Sequence, residues 1–347
     1  MTKAQSITSA FGFLILLGGI LGFDVAHDVP KDALRENPPT VDGFLDGSWA
    51  EDVDAFFHEK SAFMRATRPY RNGWMLKYLG ETPSRIVAGR DGWLFLLESF
   101  QPMAEPGHTR KWFEMFTLAE GIRQAFVGPR TRFLVLVMPA KWRLYPEFMP
   151  DYEIVPGRRA LYGAVLAELH RRGMATVDLL SILKERKAAD PGALLFPPND
   201  THFTERGFAL VAAVVAEKLC GVPAHQATRR LERSPRMCRR FPGDLPRQLS
   251  LDPKTVVGNS FAFQEEAYEL EPCFDADGAD VLVLGDSFFL AHDGVFQRLI
   301  QRATGKKVDS RFAGWRKADV ARLRAVYGRN PPPYVLLAVT ERRFEGY

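Results

Sequence analysis

Val281-Leu282-Val283-Leu284-Gly285-Asp286-Ser287-Phe288-Phe289 is the stretch that decides the fold of this chain. Four consecutive apolar residues without alternation are expected of a strand covered on both faces, as in a parallel sheet. Gly285 then permits a sharp turn. That turn leaves Ser287 at the carboxyl end of a buried strand, the edge where open α/β sheets gather their chemistry. A helix starting there directs its amino end, with its unpaired N–H groups, at the same edge, an arrangement suited to holding an oxyanion. Taken alone, Gly-Asp-Ser after a strand reads equally well as a simple helix N-cap.

The text on either side repeats the pattern. Phe133–Val137 and Tyr334–Val339 read as two more buried strands, Val308–Phe312 as another, and Thr176–Leu180 as a short one. Helical spacing marks Trp112–Phe126, Leu161–Arg171 and Phe208–Leu219. Alternation of this kind predicts an α/β fold, a three-layer α/β/α sandwich with a mainly parallel sheet. Upstream, Ile86–Leu96 carries two apolar runs joined by Gly89-Arg90-Asp91-Gly92 and reads as a β-hairpin. Residues 222–276 interrupt the alternation and read as an insertion, not as a separate domain. Residues 24 to about 50 read as a linker with loops, and Phe56–Leu79 as helical.

With 46% hydrophobic and 25% charged residues in 347, the chain is an ordinary globular one with room for a large core. A net charge of +4 without a long basic run argues against nucleic acid as a partner. Ile7–Phe23 contains no charge and spans about 26 Å as a helix, slightly short of a hydrocarbon core. Lys3 precedes this segment and Asp24 and Asp28 follow, so an uncleaved signal anchor with an exported body is the favoured reading. A cleaved signal peptide and a buried core helix are its competitors. The expected organisation is therefore an N-terminal transmembrane helix over 1–26, a linker and helical lead-in over 27–80, and the α/β domain over 81–347. Cys220 is expected to be a buried thiol, and Cys238 and Cys273 could pair in an oxidising compartment.

A serine needs a base to attack near neutral pH, and imidazole has a suitable pKa. Asn199-Asp200-Thr201-His202 sits in a loop just ahead of a helix. Asp200 and His202, two apart, point the same way in extended backbone, so the carboxylate is placed to fix the imidazole tautomer. Lys141 and Tyr145 follow a strand end and are candidate cleft residues. Trp93 and Trp142 are core aromatics or sugar-stacking platforms. Asp286 is expected to support Ser287 with a side chain turned away from it.

The chain order adds specificity. The Gly-Asp-Ser block resembles that of SGNH hydrolases, yet here the Asp/His pair precedes it, so the sequence looks like a circularly permuted SGNH-hydrolase-like fold. That order, the apolar N-terminus, Gly89–Leu96, Pro139–Glu147, Asn199–Gly207 and the terminal Val339–Phe344 together resemble the alginate O-acetyltransferase family. The resemblance implies a triad of Ser287, His202 and Asp200. It also implies an oxyanion donor at Gly314 and an arginine, Arg342 or Arg343, where the hydrolases carry an Asn. Its further implications are a polysaccharide acceptor, an integral-membrane acyltransferase as acetyl donor, and anchorage in the bacterial inner membrane with the domain in the periplasm. No cofactor and no metal are implied. An esterase or deacetylase with the same triad, and a polysaccharide-binding scaffold, are the alternatives.

Overall fold

The computed structural model describes residues 19–345 except 21, 83, 84, 104, 127, 129, 252, 253, 255, 272–277, 313–320, 322, 323, 328 and 329. The chain divides into two compact units, residues 1–80 with 249–259, and residues 81–248 with 260–347.

In the first unit the expected linker is helical, over Val29–Glu36, Val41–Asp46 and Ser48–Lys60. Its local signals are Pro30 in the first turn, Thr40 accepting from the Gly43 N–H, and Gly47 in the left-handed conformation between two helices. The predicted Phe56–Leu79 helix is broken at Ser61, where Ala62–Trp74 begins. Buried Asp24 holds that break, accepting from Ser61 Oγ at 2.7 Å and from the Phe63 N–H at 3.0 Å. Among the described residues no helix is long and apolar enough to cross a membrane. Most of the expected anchor, residues 1–18, lies outside the described residues.

The second unit holds a four-stranded parallel sheet in the order β3 (Arg132–Met138), β8 (Tyr334–Thr340), β6 (Val281–Gly285), β7 (Val308–Phe312). The apolar runs are continuous because both faces are covered. Leu134, Leu136, Val281, Val283 and Leu336 pack beneath the helices Glu205–Lys218 and Ser287–Thr304. Val135, Val137, Leu282, Leu284, Val335 and Leu337 point the other way, against Arg110–Phe126 and Pro156–Arg171. The period-2 alternation thus distributes apolar residues to two cores. Thr176 makes only an isolated parallel bridge to Val135, and a helix starts at Leu179, so the predicted Thr176–Leu180 strand is one residue pair. Asp178 ends it early by capping that helix through the Ser181 N–H.

The hairpin forms from β1 (Ile86–Ala88) and β2 (Leu94–Leu96). Residues 222–276 contribute a helix, Ala224–Glu232, and an antiparallel ribbon of β4 (Arg236–Phe241) and β5 (Phe263–Tyr268). The ribbon is fastened to the sandwich by Arg239, which lies 2.8 Å from Glu205 and 2.7 Å from Glu265. Burial pushes both carboxyls above their ordinary range. Cys220 is buried, its thiol pushed up to about 11 by desolvation, and Cys238 is exposed. Cys273 lies outside the described residues, so its pairing with Cys238 does too.

Candidate active site

The site lies at the carboxyl edge of the sheet. β6 is buried throughout and ends at Gly285, where a Cβ would come within 2.9 Å of the Phe289 ring. Asp286 follows in extended backbone as the N-cap, and Ser287 is the first residue of the 18-residue helix. Asp286 is fully buried. One of its oxygens accepts from the Phe288 N–H at 3.0 Å, and the other accepts from the Thr340 hydroxyl at 2.9 Å and from Arg343 Nε at 3.2 Å. The carboxylate therefore caps the helix and ties the ends of β6 and β8 together. Its side chain thus reaches the end of the neighbouring strand.

The base loop stands opposite. His202 Nδ1 is 2.6 Å from Asp200 Oδ1, which also accepts the His202 N–H at 2.7 Å. The two-residue spacing thus does what extended backbone predicts. Asp200 is almost wholly buried, and its second oxygen accepts the Asp244 N–H at 2.7 Å. The imidazole ring lies 5.1 Å from the Phe288 ring, centroid to centroid, next in the chain to Ser287. Asp200, His202 and the start of the Ser287 helix are thus neighbours.

Asp244 was not singled out by any motif. Its carboxylate accepts from the Thr201 N–H at 2.8 Å and the Thr201 hydroxyl at 2.6 Å, and its Oδ2 lies 3.8 Å from His202 Nδ1. Partial burial, and then the charge of Asp200, push its carboxyl above the usual value. Asp200, His202 and Asp244 bring one possible ligand atom each within 4.8 Å of one another. In the observed arrangement Asp200, His202 and Asp244 are joined by hydrogen bonds to one another and to Thr201.

The other candidates fall differently. Lys141 is 8% exposed, and its ammonium donates to the carbonyls of Leu94 at 3.0 Å, Pro198 at 2.9 Å and Asp200 at 3.1 Å. Burial lowers its pKa to about 7. It clamps β2 to the base loop, and its three protons are taken up by backbone. Tyr145 is a core residue whose oxygen accepts from the Leu195 N–H at 2.8 Å, burial pushing its phenol upward. Trp93 is buried and stacks on Phe148 at 4.4 Å, so it forms no open platform. Trp142 is partly buried, with the Arg143 guanidinium 4.3 Å above its ring. Arg342 lies 3.3 Å from Glu98 at the wall of a small open pocket. Leu94, Leu96, Met138, Phe196, Leu245 and Phe288 give that pocket an apolar lining, and Thr201, Thr340 and Glu341 a polar side. Burial raises Glu341 to about 7 although Arg143 holds it at 2.8 Å. Gly314 lies outside the described residues.

Known proteins share this architecture. The chain is 30% identical over 292 residues to a probable alginate O-acetylase, AlgJ, of Pseudomonas aeruginosa, covering 80% of this chain and 70% of that one. Against the AlgJ of Pseudomonas syringae pv. tomato it is 28% identical over 215 residues, covering 60% and 52%. The chain thus spans between about half and 70% of the length of these two relatives. The solved O-acetyltransferase domain of Pseudomonas putida AlgJ superposes with a TM-score of 0.56 at 22% identity, over 75% of this chain and 91% of that one. Pseudomonas aeruginosa AlgX does so with a TM-score of 0.50 at 18% identity, over 74% and 62%. These likenesses carry the SGNH-like fold with its parallel sheet. Residues 86–314 match the SGNH hydrolase-like domain of the acetyltransferase AlgX, and on that match the chain belongs to this family of SGNH hydrolase-like acetyltransferase domains.

Proposed function

We propose that the chain is an O-acetyltransferase that carries an acetyl group on Ser287 and delivers it to hydroxyls of an alginate-like exopolysaccharide. The observation that carries the reading is the Asp200–His202 pair at 2.6 Å, its carboxylate buried, beside the helix that begins with Ser287. In the first step His202 takes the Ser287 proton as the serine oxygen bonds to the acetyl carbon. The donor's leaving group then departs with that proton. In the second step a sugar hydroxyl gives its proton to His202 and attacks the acyl carbon, and the proton returns to the serine oxygen. Asp200 holds the imidazole in the required tautomer and stabilises the imidazolium formed in each step. Backbone N–H groups at the helix start, and an N–H at Gly314, are the candidate oxyanion donors.

Acetyl-CoA is cytoplasmic, so a periplasmic domain anchored in the inner membrane needs an integral-membrane acyltransferase to supply acetyl. That localisation and partner belong to the proposal and are supported by the charge-free Ile7–Phe23 and its flanking residues. The decisive experiment incubates the protein with an activated acetyl ester, with and without uronate oligosaccharide. Acetylated oligosaccharide, lost on Ser287→Ala, is expected. Acetate release unaffected by sugar would make the protein an esterase, and sugar binding without any acyl chemistry would make it a scaffold.

A further inference from the structure

The segment between the Ala224–Glu232 helix and β5 reaches into the base loop, and the contact is built in detail. Gly243 adopts φ +73° and approaches Asn199 so closely that a Cβ would stand 2.2 Å from the Asn199 carbonyl oxygen. Asn199 Nδ2 donates to the Phe261 carbonyl at 2.8 Å, and the Leu245 N–H donates to the Asn199 carbonyl at 3.3 Å. Asp244 then makes three bonds at once. Its N–H donates to Asp200 Oδ2, and its carboxylate accepts both the N–H and the hydroxyl of Thr201. Backbone and side chain of a single residue therefore brace the orienting carboxylate and the residue between it and the base.

We infer that Asp244 is a positioning residue of this site, holding the Asp200–His202 pair in register and placing a second carboxylate on the Nδ1 side of the imidazole. The inference rests on the triad reading above. Two separate consequences follow from geometry. The latch on Thr201 restrains the loop, and misplacement of a catalytic group by about 1 Å can cost on the order of 100-fold in rate. A carboxylate 3.8 Å from Nδ1 also stands where the positive charge formed on the ring in each transfer step would be met by a negative one. The charged groups facing Asp244 are Asp200 and His202 on the base loop and the Lys141 ammonium, which the charges of Asp200 and Asp244 both stabilise.

The test uses the full chain and turnover of 4-nitrophenyl acetate, with Ser287→Ala and His202→Ala measured beside the Asp244 variants. Asp244→Asn keeps the shape and the backbone N–H but removes the charge. With shape and backbone bond kept, kcat is expected to fall by about fivefold with KM within about twofold. Asp244→Ala removes the latch as well and is expected to lower kcat by about 30-fold with KM within about twofold. Thr201→Val breaks the latch from the other side and is expected to lower kcat with KM within about twofold. If all three variants keep the parental kcat while Ser287→Ala and His202→Ala are inactive, the role of Asp244 is overturned and the triad stands. If Ser287→Ala and His202→Ala retain activity, the triad reading itself fails.

Discussion

The rings of His202 and Phe288 are 5.1 Å apart and inclined at 41°, which joins the base loop to the residue that follows Ser287. Phe288 is itself locked among Phe203 at 5.4 Å, Phe208 at 5.7 Å and Phe289 at 5.5 Å. The imidazole therefore lies against an aromatic cluster that includes Phe288 of the helix beginning at Ser287. Because close-packed cores transmit small displacements, this contact ties the position of the imidazole to that of the Ser287 helix.

Phe288→Leu separates packing from positioning. A near-volume-conserving apolar exchange is expected to cost less than about 1.5 kcal/mol. The flat surface under the imidazole is lost all the same, so kcat for an activated acetyl ester should fall about tenfold. Thermal unfolding and ester turnover measured on one preparation check both halves. Unchanged kcat in a folded variant would mean that the ring contact does not position the base.

Asp286 serves two strands and a helix with one carboxylate. In Asp286→Asn one amide oxygen can still cap Phe288, but the amide NH₂ then faces the Thr340 hydroxyl and Arg343, both donors to the native carboxylate. Breaking such a buried arrangement is expected to cost about 3 kcal/mol. Denaturant titration should show that loss with an unchanged m-value. A variant as stable as the parent would mean that the tie between β6 and β8 carries no net energy.

Much of this arrangement was legible in the sequence, and the remainder has a physical reason for being hidden. The strands at Leu134–Val137, Val281–Leu284 and Val335–Val339 announce themselves because burial on two faces requires uninterrupted apolar text. Asp200 and His202 are legible because their bond spans two residues of extended backbone. Asp244 is not, since its partners lie 43 and 44 residues away and it sits in polar text that reads as an excursion. Lys141 lines the pocket, as its place just past a strand end predicts, but spacing could not show that its ammonium bonds three carbonyls. The helices of residues 29–60 were hidden by their Pro, Asp and Gly content. Pro30, Thr40 and Gly47 were in fact the start and stop signals of those helices.

Gly243 tests the docking of residues 241–245 without touching an ionisable group. In Gly243→Ala the left-handed φ and a Cβ 2.2 Å from a backbone oxygen act together, so a loss of more than about 2 kcal/mol is expected. Gly278, at φ +87° with nothing within 4 Å, is the control. Gly278→Ala should cost only the conformational part, about 1 kcal/mol. Activity should fall in the first variant alone, because only Gly243 abuts the base loop. Equal losses of stability in the two would show that the close approach to Asn199 can relax freely.

Lys141 makes a prediction that depends on pH, and its sign can be worked out. Its pKa is about 7 in the folded protein against 10.5 without burial. Below about pH 7 the folded and unfolded chains both hold the proton, and folding bears the full cost of burying the charge. Between pH 7 and 10.5 the unfolded chain binds a proton that the folded one lacks, so stability rises with pH. Relative to Lys141→Met, the parental protein should therefore gain on the order of 4 kcal/mol between pH 7 and 10. The neutral amine still offers two protons to the carbonyls of Leu94, Pro198 and Asp200, so the clamp survives the titration. Denaturant unfolding of both proteins at pH 7, 8.5 and 10 measures the difference. A gap that stays constant across that window would show that Lys141 keeps its proton in the folded state, and that the three carbonyls outweigh desolvation.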